Sequence, residues 1–133
     1  MKKKRTVINS KKAPKPVGMY PHARQVGNFL FLSGVGPRVR GQKQIPRGIK
    51  LQCENVFKNV KMILEDAGFA WGDLVDVTVF LTDMKRDFQT YNELYAKYFK
   101  TNKPCRTTVE VTRLPTPIAI ELKCIAAKIH GEK

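Results

Sequence analysis

The chain has 133 residues, 42% of them apolar, and a formal net charge of +14. That is long enough for one core and too apolar for a disordered chain, and no apolar run approaches the roughly 20 residues that a membrane-spanning helix needs. The charge is uneven: residues 1–50 hold 13 Lys or Arg and no Asp or Glu, while residues 51–133 hold 12 basic and 11 acidic residues. Such a field attracts nucleic acid or anionic metabolites, but neither an aromatic-interleaved RNA motif nor a zinc knuckle accompanies it. The three cysteines, Cys53, Cys105 and Cys124, fit no metal pattern and no disulfide framework. They read as reduced thiols of a cytoplasmic protein, Cys53 and Cys124 as small hydrophobes and Cys105 as packed in the core. The Lys2–Arg5 start precedes no apolar signal core, which points the same way.

Residues 1–12 form a basic flexible tail with an edge strand at Thr6-Val7-Ile8, residues 13–129 a single domain, and residues 130–133, with His130, a second tail. Pro14, Pro16 and Gly18 make residues 10–18 an extended connection. Ala23–Val26 and Phe29–Ser33 pair as a hairpin across Gly27-Asn28, and a basic loop without periodicity follows over residues 38–48. Cys53, Val56, Phe57, Val60, Ile63, Leu64 and Ala67 recur at helical spacing, with Gly68 placed to end the helix. Leu74–Thr82 alternates as a strand, with Val75, Val77, Val79 and Leu81 on one face. A second helix spans about Lys85–Phe99 on a stripe of Phe88, Tyr91, Tyr95, Tyr98 and Phe99. Two more strands lie near Arg106–Leu114 and Ile118–Ile129. The predicted class is α+β, a mixed sheet with two helices on one face. The other face, with Phe80, Ile125, Ala127 and parts of the hairpin, is too apolar for solvent, so a homo-oligomer with a sheet-lined interface is expected.

The sequence has no phosphate loop, dinucleotide fingerprint, metal-ligand spacing or nucleophile elbow. Three polar residues stand out instead. Arg106 enters a strand straight after a proline-marked turn, from which a guanidinium can grip a carboxylate in two-pronged fashion; on the strand alone an arginine in solvent is the simpler reading. Glu121 interrupts the last strand among Ile120, Leu122 and Ile125, and Asn92 interrupts the stripe of the second helix. Each of these serves equally as a satisfied structural group. Arg106 and Glu121 on adjacent final strands would suit water-based chemistry on a carboxylate substrate. His22, in a loop beside Tyr20, is a further candidate.

In order along the chain, the sequence carries Gly18-Met19-Tyr20, Val26-Gly27-Asn28-Phe29 through Ser33-Gly34, Gln52 through Asn59 to Ala67-Gly68, and Val77 through Met84. Tyr91-Asn92-Glu93-Leu94-Tyr95, Pro104-Cys105-Arg106-Thr107, Arg113-Leu114-Pro115 and Ile120-Glu121 follow. With these motifs the chain resembles the RidA/YjgF family of enamine and imine deaminases from about Ala13 to Lys128. The resemblance implies a chorismate-mutase-like fold, a homotrimer with clefts between subunits, and hydrolysis of 2-aminoacrylate-type enamines or imines without cofactor or metal. It implies that Arg106 grips the substrate carboxylate, that Glu121 positions water, and that Tyr20, Ser33, Gly34, Asn92 and Thr108 shape the cleft. Thr108 stands where many members have cysteine. The runs Tyr20-Pro21-His22, Arg106-Thr107-Thr108-Val109 and Ile120-Glu121-Leu122-Lys123 look more like 2-aminomuconate deaminases of the same superfamily, which act on a longer dicarboxylate. Lys123 or a cation of the 38–47 loop would suit the second carboxylate. Two readings of other kinds stay beside this one: an RNA-binding or endoribonuclease-type protein using the basic N-terminal part, and a non-catalytic trimer that binds a small acid.

Overall fold

A computed structural model describes residues 6–129. Residues 1–5 and the 130–133 tail with His130 lie outside them. The strands are β1 (Thr6–Ile8), β2 (Ala23–Val26), β3 (Phe29–Leu32), β4 (Leu74–Leu81), β5 (Cys105–Glu110) and β6 (Ile120–Ala127), and the helices are α1 (Ile49–Asp66) and α2 (Met84–Tyr98). They form one sheet in the order β1-β2-β3-β6-β4-β5, in which β4 and β5 run parallel and the other neighbours antiparallel.

The helical period of α1 buries Cys53, Val56, Phe57, Val60, Ile63 and Leu64, together with the polar Gln52 and Asn59. Each large apolar side chain so buried contributes about 1.5–3 kcal/mol. The helix ends where Gly68 takes a positive φ of 80°. The Phe69 N–H then reaches the Leu64 carbonyl at 2.8 Å and the Gly68 N–H reaches that of Glu65 at 3.0 Å, which satisfies two orphan carbonyls. At the start of α2 the Asp83 side chain accepts from the Arg86 N–H at 3.0 Å, and Glu110 of β5 accepts from the Met84 N–H at 2.8 Å.

Both helices pack on the face formed by Leu30, Val77, Val79, Leu122 and Cys124. Cys53 and Cys124 are buried there, and burial pushes both thiols up to about 12. Phe29, Phe31, Phe80, Val109, Ile125 and Ala127 fall on the other face, where Phe29 and Phe31 are 48% and 41% exposed.

Four expectations need correction. A bulge between Leu74 and Asp76 puts Leu74 in the core and leaves Val75 exposed. On α2, Phe88 and Tyr98 are 37% and 41% exposed while Asp87 and Leu94 are buried, and Arg86 covers the Asp87 carboxylate, binding it through two N–H groups at 2.8 and 2.7 Å. On the edge strand β5, shorter than expected, Cys105 is exposed rather than packed. Arg106 and Glu121 do not lie on adjacent strands, since β4 runs between β5 and β6.

Candidate active site

Arg106 and Thr108 project from β5 on the side of the sheet that carries α2. Arg106 Nη1 donates to Asn92 Oδ1 at 2.8 Å, and its guanidinium carbon lies 5.3 and 4.8 Å from the ring centres of Tyr91 and Tyr95. The aromatic faces favour the cation and hold its plane. The Tyr91 hydroxyl is 2.9 Å from that of Thr108 and ties the bed to the same strand. Burial pushes the phenols of Tyr91 and Tyr95 up, so both remain neutral. Among the described residues the ion pairs are those of Arg86 with Asp83 and Asp87, so Arg106 keeps its remaining donors for an external acceptor.

Glu121 belongs to a separate cleft of about 330 Å³, with Tyr20, Ser33, Gly34, Arg38 and Pro115 in its wall. Its carboxylate lies where a side chain on Gly34 would be: a Cβ there would meet Glu121 Oε2 at 2.2 Å. Burial raises the Glu121 carboxyl above the ordinary glutamate value of 4.5. Tyr20 Oη accepts from the Val17 N–H at 3.3 Å and keeps its own proton to donate. Ser33 Oγ donates to the Pro21 carbonyl at 2.7 Å, which leaves its lone pairs facing the cleft free to accept.

The sheet register separates these two groups. Arg106 pairs with Val77 and therefore shares the helix face, whereas Glu121 pairs with Phe80 and shares the open face. Three residues along the strand and two strand spacings across put their Cα atoms about 14 Å apart in the sheet. Two side chains so placed on opposite faces of one sheet do not close on a substrate of a few carbon atoms.

His22 is buried, with Nδ1 accepting from the Ser10 N–H at 2.9 Å and Nε2 donating to the Pro14 carbonyl at 2.6 Å. Both ring nitrogens are committed to pinning the 10–18 connection against the start of β2. The Lys123 ammonium donates to the Leu32 carbonyl on the open face. Among the described residues, three or more His, Cys, Asp or Glu side chains nowhere gather in a way that could hold a metal ion, and no helix is long and apolar enough to cross a membrane.

The sequence profile of the family described as endoribonuclease L-PSP matches residues 10–128. The chain belongs to this family, the RidA/YjgF group. A RutC family protein of Pyrococcus abyssi is 47% identical over 123 residues, which cover 92% of this chain and 96% of that one. Reactive Intermediate Deaminase A, chloroplastic, of Arabidopsis thaliana is 40% identical over 92% of this chain and 66% of its own length. The crystal structure of E. coli TdcF with bound serine superposes with a TM-score of 0.88 at 34% identity, covering 93% of this chain and 99% of that one. The fold is thus the YjgF-type α+β fold.

In this RidA/YjgF chain, Tyr91 and Tyr95 are buried in the core as their place in the α2 stripe predicts, and they also form the bed of Arg106, a role the sequence alone does not show. Their spacing around Asn92 was visible, but it acquires meaning only once β5 lies beside α2. Arg38 was also hidden, within a basic loop that has no period to show which cation turns inward.

Proposed function

We propose that the protein is a hydrolytic deaminase of small anionic enamines and imines, working as a homotrimer with its sites between subunits. The observation that carries this is the division of the candidate residues into two incomplete halves. One half offers an arginine with donors to spare, the other a desolvated carboxylate beside a tyrosine proton. A second copy placing its Arg106 half against the Glu121 cleft would complete the site. The apolar open face, with Phe29 and Phe31 exposed, favours such an assembly. The name of the Arabidopsis relative and the serine, an amino acid with a carboxylate, held by E. coli TdcF support the substrate class.

The chemistry needs only proton transfers. An enamine such as 2-aminoacrylate takes a proton at its terminal carbon and becomes the iminium ion, the protonated form of the imine. Arg106 and Asn92 orient the carboxylate, and Tyr20 donates to the developing negative charge. Glu121 accepts a proton as water adds to the C=N carbon, giving a carbinolamine. Glu121 then returns its proton to nitrogen and takes the hydroxyl proton as the C=O bond forms and the C–N bond breaks, which releases ammonia and a keto acid.

The test is ammonia and keto-acid release from freshly generated 2-aminoacrylate and from 2-aminomuconate. Arg106→Ala should lose about 2–5 kcal/mol of transition-state stabilisation, at least roughly thirtyfold in kcat/KM. Equal rates for wild type and variant would remove the assignment, and retained ligand binding without turnover would leave a small-acid-binding trimer.

A further inference from the structure

Among the described residues, the Glu121 cleft is lined by one cationic residue, Arg38. Its backbone is fixed from beneath. Asn59 of α1, only 4% exposed, donates through Nδ2 to the carbonyls of Gly36 and Arg38 at 2.9 and 2.8 Å, on either side of Pro37. Proline fixes its own φ, so Arg38 leaves the chain from a segment with little freedom. The guanidinium spends one donor, Nη2 to the Lys15 carbonyl at 2.8 Å, of the five it has. No carboxylate lies within ion-pair distance of it among the described residues, Glu121 included.

Of the other cations, Arg40 donates to the carbonyls of Ser10 and Ala13, Lys123 binds the Leu32 carbonyl, Arg47 lines a different crevice beside Leu51, and Lys15 lies in the adjoining crevice that Arg38 also lines. A half-buried, rigidly mounted arginine without a counter-ion beside a site for small acids is matched by a second acidic group on the ligand.

We propose that Arg38 forms a second anion subsite in this cleft, so that the preferred substrate carries a second carboxylate at the end remote from the one held by Arg106. This rests on the reading of the cleft as the substrate site and narrows its substrate class to diacids.

The test uses unreactive acids, so it does not depend on turnover. Binding of propionate, succinate, glutarate and adipate to the whole protein is measured by titration calorimetry, for wild type, Arg38→Ala and Arg38→Lys. At least one diacid should bind wild type about tenfold or more tightly than propionate, and that ratio should fall to near one in Arg38→Ala and recover in part in Arg38→Lys. If Arg38 were needed only to tie the loop to Lys15, both classes of acid would weaken together and the ratio would stand. Should Arg38→Ala fail to fold, Arg38→Met keeps the apolar stem and serves the same comparison. A wild type without diacid preference, or a preference that survives the loss of the guanidinium, overturns the proposal. Diacid preference without ammonia release from any enamine would uphold the subsite and count against the deaminase reading alone.

Discussion

Gly34 and Glu121 share one space: the carboxylate of Glu121 occupies the position that any Cβ on residue 34 would need, with 2.2 Å between them. The close approach couples the end of β3 to β6 and aims the carboxylate into the cleft with Tyr20 and Ser33. Because the colliding atom is the far end of a flexible side chain, Gly34→Ala should fold, with Glu121 swung aside. We expect a stability loss of at most about 1.5 kcal/mol by thermal unfolding and a fall in kcat/KM as large as that of Glu121→Ala. Unimpaired turnover in Gly34→Ala would show that the position of this carboxylate does not matter.

The raised pKa of Glu121 gives the rate a predictable pH dependence. Only the ionised carboxylate accepts a proton from water, so kcat/KM should rise with pH through that pKa. Because burial raises the value, the acid limb should lie above 4.5, the ordinary glutamate value, and Glu121→Gln should abolish the limb along with most of the activity. A limb at or below 4.5 in the wild type would mean that another group is the base or that the carboxylate is not desolvated.

The open sheet face makes activity depend on assembly. Phe29 and Phe31, with ring centres 6.1 Å apart, stand on this face beside Ala127 and Ile125. Phe31→Glu would bury a charge in the interface and should convert a trimer into a monomer in analytical ultracentrifugation at micromolar concentration. The same change should abolish deamination although it touches neither Arg106 nor Glu121. A monomer that retains full turnover would contradict the composite site.

Much of the fold was legible because it rests on periodicity. The stripe of α1 and its stop at Gly68 follow from the residues themselves, and so do the strands and the apolar second face. Val75 was misplaced because a bulge shifts the alternation of β4 without leaving a mark in the sequence. Asp87 was missed because an acidic residue carries no sign in the sequence that Arg86 covers it. The site was half legible: Arg106, Asn92 and Glu121 stood out as polar breaks in apolar patterns, but their assignment to opposite faces depends on β4 running between β5 and β6. That strand order is a property of long-range pairing and not of local pattern.

The central claim, that one active site takes Arg106 from one copy and Glu121 from another, is tested most directly by mixing two inactive chains. Arg106→Ala and Glu121→Gln proteins are co-refolded in equal amounts and assayed for ammonia release. With random assembly of trimers, about a quarter of the sites should hold an intact arginine from one chain and an intact glutamate from its neighbour, so about a quarter of the wild-type rate should return. If the mixture stays as inactive as its components while trimers still form, the two residues do not meet across the interface and the account is wrong.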